Sequence, residues 1–86
     1  MKSFKYVITD NEGIHARPAG QLVKLVKEYK DTEITIAKDG KAVKASKTLG
    51  VMSLGVKKDN EVELTFDGPS EDAAYEAVLA FFKENL

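Results

Sequence analysis

Residues 61–66 place the strongest constraint on the fold, because polar side chains alternate strictly with Val62, Leu64 and Phe66. Successive side chains of a β-strand point to opposite faces of its sheet. The pattern therefore predicts a strand with one buried face and one face in solvent. A fold for this chain must contain a sheet that is covered on one side.

Similar patterns predict three further strands. Residues 4–8 largely alternate between apolar and polar side chains, and Ile34 and Ile36 share one face of a second strand. Asp39-Gly40 is a dipeptide that two-residue hairpin turns prefer, so residues 41–45 are predicted to be the return strand. The uncovered face of the sheet is expected to carry Thr9, Thr35, Glu61 and Glu63.

Three helices are predicted between and after these strands. Apolar residues from Leu22 to Tyr29 follow the i, i+3, i+4, i+7 spacing of an amphipathic helix, and Pro18 fits its first turn. Residues 47–54 form a short, weak helix that ends at Gly55. Pro69 is expected at the first position of the last helix, followed by acidic side chains that favour the positive end of the helix dipole.

The order strand, helix, strand, strand, helix, strand, helix predicts an α+β fold. Three helices would cover one face of a four-stranded antiparallel sheet. Residues 1–86 are expected to form one domain, and the area scaling for 9.5 kDa gives about 5,000 Å² of folded surface. Periodicity does not predict the order of the strands in the sheet.

Composition excludes several kinds of site. The chain has no cysteine and one histidine, which excludes disulfides, thiol nucleophiles and a cage of several histidines around a metal. A net charge of −1 argues against general nucleic-acid binding. No apolar stretch reaches the length of a secretion signal or a membrane span. We expect a cytoplasmic protein that binds neither nucleic acid nor membrane.

The candidate site is the segment 13–19, which places His15 at or just before the N-cap of the first predicted helix. The unpaired N–H groups of Ala16 and Arg17 and the helix dipole favour an anion there, so the ring tends to stay neutral and nucleophilic. Arg17 can also reach a phosphoryl group as a charged donor. Together with Pro18 in the first turn, this pattern indicates a covalent phosphohistidine site.

Plainer interpretations remain open on this evidence. A lone histidine is often a packed or solvent-facing residue without chemistry, and a simple anion-binding or structural domain would not need His15. The chain has no second histidine and no nucleotide loop of the G-x-x-x-x-G-K type. We therefore expect no cofactor, and a carrier that relies on donor and acceptor enzymes instead of acting as a stand-alone enzyme.

Two motifs favour the phosphoryl carrier. Residues 13–19 (GIHARPA) and 50–55 (GVMSLG), in this order and in a chain of this length, resemble the histidine-containing phosphocarrier family, HPr. That family serves the bacterial phosphoenolpyruvate-dependent sugar phosphotransferase system. The resemblance covers essentially the whole chain, and it implies an open-faced β-sandwich of βαββαβα order with the strands arranged 1-4-2-3.

The resemblance also implies a function for the site. His15 would accept a phosphoryl group on Nδ1 from phospho-enzyme I, which phosphoenolpyruvate charges, and pass it to a histidine of enzyme IIA domains. Arg17 would steady the phosphoryl group, and Pro18 would open the helix beside it. The alternative is a regulatory HPr-like module that binds transcriptional or metabolic regulators without serving sugar uptake. We expect a monomer, which suits a protein that fits two partners in turn.

Two surfaces are candidates for partner binding. Gln21 and Lys24, with Lys27 nearby, lie along one side of the first helix and either steer acidic partners or form an ordinary solvated face. Leu49 and Met52 are three residues apart in the short helix and either fill the core or form an exposed apolar patch. The resemblance favours the patch.

The chain departs from the family at two positions. Many HPr proteins of Gram-positive bacteria carry a regulatory serine where this chain has Lys47, which leaves Ser46, one residue earlier, as the candidate for regulatory phosphorylation. Glu12 stands where relatives often have a small polar residue. Its carboxylate is expected to repel a phosphoryl dianion unless it points to solvent or to Arg17, so Glu12→Asn is expected to slow the hydrolysis of phospho-His15.

Overall fold

Seven elements follow one another in the order predicted from the sequence. The computed structural model describes residues 1–86. The strands are β1 (Lys2–Val7), β2 (Glu33–Lys38), β3 (Lys41–Lys44) and β4 (Glu61–Asp67), and the helices are α1 (Ala16–Val26), α2 (Thr48–Ser53) and α3 (Glu71–Asn85). None of the three helices has the length and apolar character needed to cross a membrane.

The four strands form one antiparallel sheet in the order β1-β4-β2-β3, as the family resemblance implies. Leu64 of β4 lies opposite Phe4 of β1 on one side and Ile36 of β2 on the other, so the apolar faces of three strands are in register. Asp39 and Gly40 join β2 to β3, and both have positive φ angles, as a tight two-residue hairpin turn requires. The predicted hairpin is confirmed.

All three helices cover the apolar face of the sheet. Nineteen buried hydrophobic residues form a single core cluster, to which Leu22 of α1, Val51 of α2 and Phe82 of α3 each contribute a fully buried side chain. The accessible surface of the chain is 5004 Å², close to the area expected from its mass. One core therefore holds the helices and the sheet together.

The opposite face of the sheet is polar and carries no helix. Thr35 of β2 and Thr65 of β4 lie opposite each other, and their hydroxyl groups are hydrogen-bonded. Thr9, which was expected on this face, lies beyond the end of β1. Its N–H and its hydroxyl donate to the carbonyl oxygen of Leu86, at 2.7 and 2.8 Å, which ties the end of α3 to the loop after β1.

Some element ends differ from those predicted. Ile8 and Ala45 are buried but lie just outside β1 and β3. Pro69 is not the first residue of α3, because the helix begins two residues later with Ser70 as its N-cap. The N–H of Ser70 donates to the hydroxyl of Thr32 at 3.0 Å. This tertiary contact holds residues 68–70 in a turn, and local propensity alone does not reveal it.

Candidate functional site

His15 is the N-cap residue of α1, as the sequence predicts, and its backbone is extended. Its carbonyl oxygen accepts the N–H of Ala19 at 3.0 Å, while its ring makes no capping hydrogen bond to the helix. The N–H groups of Ala16 and Arg17 have no backbone acceptor, and Pro18 has no N–H. The side chain is 38% exposed, so the ring is accessible beside the open end of the helix.

Backbone contacts hold the loop that precedes His15. Gly13 has a φ of 66°, and a Cβ atom at this position would collide with the backbone of Val56 and Lys57. The next residue, Ile14, is buried, and its N–H donates to the carbonyl oxygen of Val56 at 3.1 Å. The position of the imidazole is therefore set by a close approach between this loop and the loop after α2.

The ring opens into a shallow polar pocket of about 220 Å³. The pocket is lined by Asp10, His15, Arg17, Pro18, Gln21 and Asn85. The Arg17 side chain is exposed and forms no ion pair with a carboxylate, which leaves its guanidinium free for an anion. The structure therefore brings four residues singled out in the sequence, His15, Arg17, Pro18 and Gln21, to one place.

Two residues of the pocket were not singled out in the sequence. Asp10 lies five residues before His15, and its Oδ1 accepts the N–H of Glu12 at 2.8 Å. The turn-rich composition of this loop signals the turn but not the direction of the carboxylate. Asn85 comes from the last turn of α3, and no local pattern connects it with His15.

Glu12 makes a contact that neither sequence alternative included. Its Oε2 lies 3.2 Å from Nε2 of His15, and it is not paired with Arg17. The Glu12 side chain is 74% exposed, so this contact lies at the rim of the pocket. One nitrogen of the ring thus faces a carboxylate.

The pocket suits an anion held at the end of a helix beside a ring nitrogen. Two free N–H groups, the helix dipole and the Arg17 guanidinium provide positive potential there. The Asp10 and Glu12 carboxylates provide negative potential at the side of the loop. No group of three or more His, Asp or Glu side chains is arranged to hold a metal ion.

Comparison with known proteins identifies the family. The family model described as the HPr component phosphorylation site of the phosphotransferase system (PTS-HPr) matches residues 2–84. The chain belongs to the HPr phosphocarrier family. The phosphocarrier protein HPr of Lysinibacillus sphaericus is 36% identical over 84 residues, which are 98% of this chain and 94% of that protein.

Solved HPr structures share the fold over nearly the whole chain. HPr-C-His from Thermoanaerobacter tengcongensis has a TM-score of 0.91 at 35% identity, covering 96% of this chain and 92% of that one. Crh, the catabolite repression protein of Bacillus subtilis, crystallised as a dimer with a swapped domain, has a TM-score of 0.77 at 32% identity. That match covers 100% of this chain and 98% of the Crh chain.

In this HPr family member, Leu49 and Met52 do not fill the core. Leu49 is 82% exposed and Met52 is 39% exposed, and we call this pair the α2 patch. Lys38 of β2 holds the end of the helix that carries the patch, because its Nζ donates to the carbonyl oxygens of Leu54 and Gly55 at 3.4 and 3.2 Å. A cation at this end also interacts favourably with the negative end of the helix dipole.

The remaining residues singled out in the sequence lie elsewhere. Gln21 and Lys24 are exposed on α1, but Lys27 is its C-cap, about 16 Å along the helix from Ala16. Lys27 and Ser46 line a second groove of about 600 Å³ between the end of α1 and the β2–β3 edge. The structure therefore does not bring Lys27 or Ser46 to the pocket of His15.

Lys47, one of the two departures from the family pattern, lies at the start of α2. Lys47 is the N-cap residue of this helix and provides no side-chain cap. Ser46 precedes the cap and is half-buried. The position at which the family resemblance implies a regulatory serine is therefore occupied by a cation at the positive end of a helix.

Proposed function

We propose that this chain is a cytoplasmic phosphoryl carrier and that Nδ1 of His15 is the atom that carries the group. The proposal rests on one arrangement: an accessible imidazole at the open N-terminus of α1, with an unpaired Arg17 in the same pocket. Membership of the HPr family supports the same chemistry.

The transfer step needs no further reactant. The lone pair of Nδ1 attacks the phosphorus of a phosphorylated donor enzyme, a nitrogen–phosphorus bond forms, and the bond between phosphorus and the donor breaks. The electron pair of the broken bond returns to the donor. In the second half of the cycle the nucleophile of an acceptor enzyme attacks the same phosphorus, and Nδ1 recovers its lone pair.

The N-terminus of α1 stabilises the group while it is carried. The N–H groups of Ala16 and Arg17 and the Arg17 guanidinium are donors for phosphoryl oxygens, and Pro18 leaves no competing N–H at the third position. The Asp10 carboxylate opposes this attraction from the loop side. Such a balance suits a carrier, because a group that is bound too firmly is not passed on.

We propose that enzyme I is the donor and that enzyme IIA domains are the acceptors. The α2 patch supplies an exposed apolar contact for both, and Gln21, Lys24 and Lys27 supply a polar, basic rim on α1. Residues 1–50 carry ten basic and six acidic side chains, so this half of the chain has a charge of +4. That charge favours partners with acidic docking surfaces.

Incubation with enzyme I and labelled phosphoenolpyruvate tests the carrier proposal. The wild type should acquire label that is labile in acid and stable in base, and the label should move to an enzyme IIA domain added later. His15→Ala should acquire none. Lys30→Ala, which alters an exposed cation outside the pocket, should behave as the wild type. Label that persists in His15→Ala would refute the proposal.

The likeness to Crh supports a second candidate, a regulatory module that binds transcriptional or metabolic regulators. In this case the docking surface would matter and the chemistry of His15 would not. Ser46 is then the candidate for regulatory phosphorylation. Treatment with an HPr kinase followed by mass spectrometry tests this site, and modification of the wild type but not of Ser46→Ala would support the regulatory role.

A further inference from the structure

The loop before α1 places the carboxylate of Glu12 beside the ring of His15. Oε2 of Glu12 lies 3.2 Å from Nε2 of the imidazole. The backbone of this loop is tied down, because the N–H of Glu12 donates to Oδ1 of Asp10 at 2.8 Å and the N–H of Gly13 donates to the Asp10 carbonyl at 3.0 Å. Glu12 therefore faces the ring from a held turn.

The chemistry of the two groups decides where the ring proton lies. An ionised carboxylate only accepts hydrogen bonds, so the nitrogen that faces Glu12 must carry the hydrogen. A neutral imidazole has a single N–H, which leaves the lone pair on the other nitrogen. We propose that Glu12 is a positioning residue that holds His15 in the tautomer with hydrogen on Nε2, so that Nδ1 is the nucleophile. This inference rests on the proposed phosphoryl-carrier function.

The same contact acts on the ring during transfer. When Nδ1 of the neutral ring bonds to phosphorus, Nε2 keeps its hydrogen and the ring becomes cationic. When Nδ1 gives the phosphoryl group away, the neutral tautomer with hydrogen on Nε2 returns, and no proton has moved. The carboxylate of Glu12 lies next to the positive charge that the ring carries while it is phosphorylated. An acid that orients and stabilises a histidine in this way is a familiar arrangement in nucleophilic catalysis.

The position of Glu12 limits its repulsion of the phosphoryl group. It contacts Nε2, and the phosphoryl group sits on Nδ1, which points in another direction from the ring. Arg17, which makes no ion pair with Glu12 or any other carboxylate, remains available to the phosphoryl oxygens. The negative charge of Glu12 thus acts at Nε2, and the positive charge of Arg17 is available to the phosphoryl group on Nδ1.

Three variants separate the effects of Glu12. Glu12→Ala removes both the acceptor and the charge, whereas Glu12→Gln keeps an acceptor oxygen without the charge. Glu28→Ala, which removes the same charge from an exposed residue with no ion pair, is the matched control. Ring nitrogen-15 shifts, recorded at alkaline pH where the imidazole is neutral, report the tautomer directly in the free protein.

We expect hydrogen on Nε2 in the wild type and in Glu28→Ala, and a larger share of hydrogen on Nδ1 in Glu12→Ala. Phosphorylation by phospho-enzyme I should be up to about fivefold slower in Glu12→Ala, as suits a partly exposed charged contact. Glu12→Gln should retain the tautomer but lose the charge effect on the rate. An unchanged tautomer and rate in Glu12→Ala would overturn the inference, whereas a wild type that acquires no label would overturn the proposed function instead.

Discussion

The N–H of Ile14 donates a hydrogen bond of 3.1 Å to the carbonyl oxygen of Val56. Ile14 directly precedes His15, and Val56 follows the turn that ends α2. The bond therefore joins the loop that holds the ring of His15 to the segment that follows the α2 patch. The candidate site and the proposed docking surface share this backbone contact, so changes at this junction should affect both.

Gly13→Ala should destabilise the protein by about 2 kcal/mol or more, because the left-handed backbone disfavours any Cβ atom and the space is occupied by Val56. Chemical denaturation measures the change in the free energy of unfolding. Gly20→Ala is the control: it lies within α1 with open space around it, and it should stabilise the protein by about 0.5–1 kcal/mol. Equal stability of the two variants would contradict the role given to Gly13.

Leu49→Asp and Met52→Asp should weaken binding to enzyme I by about tenfold or more, since each puts a charge into the apolar α2 patch. Calorimetric titration measures the affinity, and circular dichroism should show cooperative unfolding close to that of the wild type. Val7→Asp changes an apolar residue that is 48% exposed on β1, away from the proposed interface. It should bind normally, and a loss as large as that of Leu49→Asp would argue against a specific patch.

Lys47→Ser should stabilise the protein by about 1 kcal/mol, because serine supplies the N-cap that α2 lacks and removes a cation from the positive end of the helix. Thermal unfolding measures this effect. Lys44→Ser, at an exposed position of the edge strand β3, has no cap to provide and should show no comparable gain. A Lys47→Ser variant no more stable than the wild type would indicate that the helix end is satisfied in another way.

Glu71 should make the free energy of unfolding depend on pH in the acidic range. Hydrogen bonds from the N-terminal ammonium of Met1 and from the N–H of Gly68 lower the pKa of its carboxyl group. A lowered pKa in the folded state adds stability above the usual carboxyl value of about 4.3, and this stability is lost as the pH falls through the lowered value. Glu71→Gln should therefore lower Tm at neutral pH and have less effect in acid, unlike Glu84→Gln, whose side chain is exposed and unpaired.

Glu12→Asn should slow the hydrolysis of phospho-His15 by about twofold to fivefold, because the Glu12 carboxylate keeps the hydrogen on Nε2 and the ring can then leave phosphorus as a neutral imidazole. The decay of label on the isolated phosphoprotein measures the rate. Glu28→Asn should not change it. Faster hydrolysis in Glu12→Asn would show that the carboxylate protects the phosphoryl group.

Local patterns predicted most of the elements. The alternation around Leu64, the Asp39-Gly40 turn and the spacing from Leu22 to Tyr29 each depend on a few neighbouring residues, and the structure has β4, the β2–β3 hairpin and α1 where they indicate. The order of the strands is different in kind, since it depends on pairing between distant segments. It was predicted only through the resemblance to HPr, and the structure confirms it.

The features that local patterns did not predict have tertiary causes. Pro69 lies outside α3 because Thr32, far away in the chain, holds Ser70 in the preceding turn. Glu12 turns to His15 because the held loop aims it there, and a sequence does not encode a rotamer in a simple pattern. Leu49 and Met52 share a side of a short helix, but their spacing does not say whether that side faces the core.

The helix α2 is anchored to the interior by one buried residue, Val51. Its outward-facing side chains are therefore largely uncoupled from the packing that keeps the chain folded. Substitution of an exposed residue such as Leu49 can therefore alter the outer surface of this helix, while the architecture that holds His15 at the start of α1 is retained.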